Sequence, residues 1–254
     1  MKQLELTEIG MDYGGVRALD DVTLCFRVGA ITSLVGPNGA GKSSLLDIAS
    51  GLQRPTRGRG RVDDSGLPLG RPHSVARLGI RRSFQTSRVM PGRTVQDNVL
   101  LGTHGRVRLG FLQDMLGTPS QRRLEREMNE AAMEAVATVG LTDVRDRLAG
   151  SLSYGQLRLM EIARALAGRP ELLLLDEPAA GLNSREADRL GDLLLRLVSE
   201  HGMGIVLVEH NLGLVRRISD QMYVLNLGRL IAGGAPDNVT RDPVVIAAYT
   251  GGTI

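Results

Sequence analysis

The sequence predicts an α/β chain with a mainly parallel sheet core, an N-terminal antiparallel β part and an inserted α-helical subdomain. Three observations carry this reading. Short, unbroken apolar runs at 31–35, 172–175 and 205–208 alternate with helix-period stretches, as strands buried on both faces of a parallel sheet do. Within 4–28, by contrast, Val22, Leu24, Phe26 and Val28 alternate with Thr23, Cys25 and Arg27, the mark of a half-buried strand. From about 94 to 149 apolar residues recur at helical spacing instead (Val95, Val99, Leu100; then Leu124, Met128, Ala131, Ala132, Ala135, Val136). The 254 residues therefore read as one domain, with 1–93 and 168–254 as the core and 94–167 as the helical insertion.

The elements follow in order. Two strands in 4–28 meet at the Tyr13-Gly14-Gly15 turn, and 31–35 is a buried strand bounded by Gly29 and Gly36. A helix runs from Lys42 to about Ser50, where Gly51 stops it. The Gly- and Arg-rich 57–70 reads as a hairpin and loop, and 80–84 as a strand ending before Gln85. After Tyr154 come a helix with Leu157, Met160, Ile162, Ala163 and Leu166, then the strand 172–175 and a helix over 185–200. The strand 205–208, a short helix at 212–217 and a hairpin of 222–225 with 229–232 close the sheet.

Composition excludes several classes. A lone cysteine, Cys25, forms no internal disulfide and occupies an ordinary strand position, which fits a reducing compartment. The net charge is +3, and of 31 basic residues only Lys2 and Lys42 are lysine. The arginines read as a solvated surface rather than a stripe interleaved with aromatics, so nucleic acid is not the expected partner. No apolar run approaches the roughly 20 residues of a membrane helix, and the N-terminus carries no apolar signal segment. The expectation is a cytoplasmic protein that other subunits hold at any membrane it serves.

Gly36-Pro37-Asn38-Gly39-Ala40-Gly41-Lys42-Ser43 matches G-x-x-x-x-G-K-[ST] and lies between a strand and a helix, where a phosphate cradle belongs. Glycines bring backbone N–H groups close to an anion, and the helix N-terminus adds partial positive charge. Lys42 is the expected partner of the β- and γ-phosphates and Ser43 of Mg²⁺. In a chain that otherwise uses Arg, a compact ammonium suits a crowded phosphate site. At the carboxyl end of 172–175 stand Asp176, an expected Mg²⁺ ligand, and Glu177, an expected general base for water.

Leu152-Ser153-Tyr154-Gly155-Gln156, just before a helix, is similar to the signature of ABC ATPases, and with the motifs above the chain resembles that family along its whole length. The resemblance implies a P-loop NTPase of ABC type that binds ATP with Mg²⁺ and hydrolyses it. It makes Tyr13 the adenine-stacking aromatic, Gln85 a metal and water ligand, and His210 a γ-phosphate contact, and it extends the ATP site to Ser44. It gives Ser153, Tyr154, Gly155 and Gln156 to the ATP of an opposite subunit, so two chains must pair head to tail.

The phrases 151–166, 172–183, 79–85, 94–102, 224–231 and 242–251 resemble the ATP-binding subunit of branched-chain amino acid importers. Tyr154 and Asn183 fit that subfamily; Leu157, Ser44 and the loop 103–120 depart from the usual pattern. The implied partners are a second ABC ATPase subunit (a paralogue, or a second copy), two integral-membrane permeases at the inner face of the cell membrane and, indirectly, a solute-binding protein. Uptake of branched-chain amino acids or a related small polar solute is the leading reading. Lipopolysaccharide-type export, a soluble non-transport ABC ATPase and a non-hydrolysing scaffold stay open at this point.

Overall fold

A computed structural model describes residues 1–83, 89–106 and 119–250, except for the side chains of 104–106, 119, 121 and 250. In chain order the strands are β1 (Gln3–Tyr13), β2 (Val16–Arg27), β3 (Ile31–Val35), β4 (Arg57–Val62), β5 (Ser65–Gly66), β6 (Ile80–Arg82), β7 (Leu172–Asp176), β8 (Gly204–Val208), β9 (Gln221–Asn226) and β10 (Arg229–Gly234). The helices are α1 (Lys42–Ala49), α2 (Pro72–Arg77), α3 (Val95–Leu100), α4 (Pro119–Thr138), α5 (Tyr154–Ala167), α6 (Ser184–His201), α7 (Leu212–Ile218), α8 (Pro236–Val239) and α9 (Pro243–Thr250). The chain divides into two compact units, one of Met1–Arg82 with the chain from Glu171 onward, the other Ser83–Pro170. The helical unit is thus wider than the 94–167 expected, beginning directly after β6 at Ser83 and ending at Pro170, just before β7.

In the first unit the described strands form two sheets. An antiparallel sheet has the order β2-β1-β4-β5, and a larger one the order β10-β9-β3-β8-β7-β6. In the larger sheet β9, β3, β8, β7 and β6 run parallel, and β10 pairs antiparallel with β9 at the edge. Every residue of β3, β7 and β8 is buried, which is why these strands carry no in–out alternation. Each fully buried Leu or Ile there contributes roughly 1.5–3 kcal/mol.

Successive residues of β3 enter different cores. Leu34 joins Leu45, Leu46 and Ile48 of α1 and Leu4, Leu6 and Phe26 of the antiparallel sheet. Val35 joins Val215, Met222, Val224, Val239 and Val245. The phosphate loop therefore starts from a strand clamped on both faces.

In the second unit α3, α4 and α5 pack on one another. Thr94 caps α3 in a reciprocal box with Asp97. Asn98 is fully buried and bonds the backbone of Met90 and Thr94, while Arg164 of α5 donates to its carbonyl and side-chain oxygens at 2.9 Å.

Candidate active site

Strand register sets the position of the site. Leu34 pairs with Val208, and Val208 with Asp176, so the carboxyl ends of β3, β8 and β7 finish side by side. Ligands of open α/β sheets bind at such an edge. From it leave the loop 36–43, the segment with Glu209 and His210, and the Asp176–Glu177 pair.

The loop demands glycine at defined places. At Gly36 φ is 147°, and a Cβ would lie 2.0 Å from the Leu225 carbonyl oxygen. Gly41, with φ 100°, is the residue before α1, and no side chain caps that helix. The first-turn N–H groups of α1 are thus left for an anion. Lys42 lies across the loop, its Nζ donating to the carbonyls of Gly36 at 2.8 Å and Pro37 at 2.9 Å. Burial pulls the Lys42 pKa down, and the nearby charges of Glu177 and Asp176 act against that pull. Behind the loop, the Gly228 N–H donates to the Ala40 carbonyl at 3.1 Å.

Asp176 is only 2% exposed. Its Oδ2 accepts from Arg82 Nη2 at 2.9 Å, and Arg82 also pairs with Asp47 of α1. Burial raises the Asp176 pKa against the pull of Arg82. Its Oδ1 is buried and has no hydrogen-bond donor among the described residues. An orphaned carboxylate oxygen, at the sheet edge from which the loop ending in Ser43 also leaves, is a donor that suits Mg²⁺, which takes one or two protein ligands and otherwise binds water and phosphate. Among the described residues no three or more His, Cys, Asp or Glu come together as a metal-holding group.

Glu177 adopts φ 49°, a left-handed conformation costing of order 1–3 kcal/mol in a non-glycine residue. Its N–H still donates to the Val208 carbonyl at 2.9 Å, continuing the β7–β8 ladder. The turn aims its side chain at His210, with Oε1 and Nε2 2.8 Å apart. A carboxylate at hydrogen-bond distance from an imidazole, at the edge that bears a phosphate cradle, is an arrangement able to take a proton from water.

The remaining expected residues stand as follows. Tyr13 ends β1 opposite Val16 and is 43% exposed. Ser153 caps α5: its Oγ accepts from the Gln156 N–H at 3.3 Å, and Gln156 Oε1 accepts from the Ser153 N–H at 3.0 Å. Exposed Tyr154 lies under the Arg158 guanidinium, which also bonds its hydroxyl and Glu161. Asn183 caps α6 in a box with Glu186. Gln85 lies outside the described residues.

Two residues at the site escaped the sequence reading. Arg82, one of the arginines expected on a solvated surface, is instead the buried counter-charge of Asp176; its place in a short strand beside β7 is the signal that finds it. Glu209, next to His210, is a buried carboxylate with no motif to announce it.

Among the described residues no helix is long and apolar enough to cross a membrane. A family model described as ABC transporter matches residues 19–180. The chain is 41% identical over 251 residues to the high-affinity branched-chain amino acid transport ATP-binding protein BraF of Pseudomonas aeruginosa, covering 98% of this chain and 97% of the relative. It is 38% identical over 248 residues to LivG, the protein of the same description in Escherichia coli, with the same coverage. A nucleotide-free ATP-binding cassette from an ABC transporter superposes with a TM-score of 0.86 at 31% identity, covering 98% of this chain and 99% of the other. A dimeric bacterial ABC transporter cassette superposes with a TM-score of 0.76 at 26% identity, covering 92% and 98%. A phosphate loop and an acidic strand end on one sheet edge, a signature sequence capping α5, and relatives aligned end to end make the chain a member of the ABC transporter family.

Proposed function

We propose that the chain binds and hydrolyses ATP to power a membrane ABC transporter that takes up branched-chain amino acids or a related small polar solute. The observation that carries this is the sheet edge itself, where the uncapped start of α1, Lys42, Asp176 and the Glu177–His210 pair leave three adjacent strands. The names of full-length relatives support the solute class.

The residues divide the work. Gly36 to Ser44 cradle the phosphates with backbone N–H groups, Lys42 neutralises the β- and γ-phosphates, and Tyr13 stacks on adenine. Glu177 accepts the proton of the attacking water as its oxygen bonds the γ-phosphorus and the bond to ADP breaks. His210, held by Glu177, orients that water and touches the γ-phosphate. Ser43 and Asp176, with Gln85, would hold Mg²⁺, which would supply positive charge against the phosphates. Ser153, Tyr154, Gly155 and Gln156 serve the ATP of an opposite ABC subunit, a paralogue or a second copy. That pair works on two permeases at the inner face of the cell membrane, fed by a solute-binding protein.

The test is Glu177→Gln. Turnover should fall roughly 10²- to 10⁴-fold while ATP stays bound, leaving a nucleotide-loaded dimer on gel filtration. Undiminished turnover would refute the assigned role of Glu177. Labelled leucine uptake in cells deleted for this chain tests the solute class, and unchanged uptake would remove it.

A further inference from the structure

Glu209 is 3% exposed, and among the described residues no basic side chain pairs with it. A buried carboxylate without a cation is costly unless hydrogen bonds satisfy it. Here backbone groups do so. Oε1 accepts from the Ala179 N–H at 2.7 Å and Oε2 from the His210 N–H at 3.1 Å.

Those donors belong to two segments. Ala179 lies two residues after Glu177, in a run of turns where the Ala180 N–H returns to the Glu177 carbonyl at 3.1 Å. His210 and Asn211 open the segment after β8. The β7–β8 ladder holds the two segments together as far as the bond from the Glu177 N–H to the Val208 carbonyl. Beyond that point Glu209 replaces the ladder, and it does so beside the Glu177–His210 hydrogen bond.

We propose that Glu209 is a positioning residue of the hydrolytic step, pinning the segment behind Glu177 to the segment bearing His210 so that the two side chains stay in register through turnover. It touches neither substrate nor the reacting atoms. The proposal rests on the hydrolytic reading above and deepens it.

The experiment uses the transporter complex captured through a tag on this chain, assayed with Mg-ATP. Misplacing a catalytic pair by about 1 Å costs up to about 10²-fold, so Glu209→Ala should lower kcat about 10- to 100-fold and leave the KM for ATP within about twofold. Glu209→Gln, which keeps one acceptor arm, should fall between wild type and Glu209→Ala. Because Glu209 acts through the pair, adding Glu209→Ala to His210→Ala should slow turnover little further, as coupled residues do. An unchanged kcat, a KM that rises in step with the kcat loss, or losses that multiply in the double variant would each overturn the proposal. If Glu209→Ala fails to accumulate, Glu209→Gln decides, and wild-type kcat in that variant overturns it. A wild-type complex without turnover sinks the hydrolytic reading along with it, whereas normal wild-type turnover with indifferent Glu209 variants sinks this inference alone.

Discussion

The starts of α1 and α5 are both read as phosphate-facing, and they are built in opposite ways. At α1 the preceding residue is Gly41, no side chain caps the helix and no acidic residue stands in its first turn. At α5 Ser153 and Gln156 cap each other's backbone N–H groups. Both ends carry the partial positive charge of a helix N-terminus. On the proposed function, the difference matches where each phosphate would come from. A helix start that serves its own chain's phosphate needs no substitute acceptor. One that serves a partner's phosphate spends time without it, and a reciprocal cap satisfies its orphan N–H groups meanwhile.

Lys42→Ala attacks the uncapped end and should have the largest effect. Removing one donor aimed at developing charge costs about 10²–10³-fold in turnover, with ATP affinity falling alongside; ATPase assays and equilibrium nucleotide binding check both. Turnover within a few-fold of wild type would mean that the loop does not bind phosphate through Lys42.

Ser153→Ala attacks the capped end. Loss of an N-cap costs about 0.5–2 kcal/mol, a Tm fall of a few degrees for a chain of this size, measurable by thermal melting of the lone chain. In a mixed dimer with one altered chain, one composite site should fail and the other survive. Loss of both sites, or of neither, would break the comparison.

Asn183→Asp should do least. Asn and Asp cap helices about equally well, so the start of α6 keeps its box with Glu186 and Tm should stay within about a degree or two. A larger drop would show that Asn183 does more than cap its helix.

The sheet core was legible because its strands are buried on both faces, which leaves unbroken runs such as 172–175 in the sequence. The phosphate loop was legible because its glycines obey steric demands: at Gly36 the Leu225 carbonyl leaves no room for a Cβ. Glu177 and His210 were each placed at a strand end, but nothing in the sequence says that they meet; that follows from β7 and β8 being neighbours. Arg82 was misread for the same reason, since its partners Asp47 and Asp176 are 35 and 94 residues away. Glu209 was invisible because its partners are backbone N–H groups, which any sequence supplies. The short helices α2, α8 and α9 span too few turns to show a period.

The bond from Gly228 to Ala40, with the Leu225 carbonyl packed against Gly36, ties the loop to the β9–β10 hairpin. A loop braced in this way has less chain entropy to lose on filling, so more of the gross attraction survives as affinity. Grip on ATP is thereby linked to a hairpin almost two hundred residues downstream, where a substitution that loosens Gly228 would speed nucleotide release without touching a phosphate.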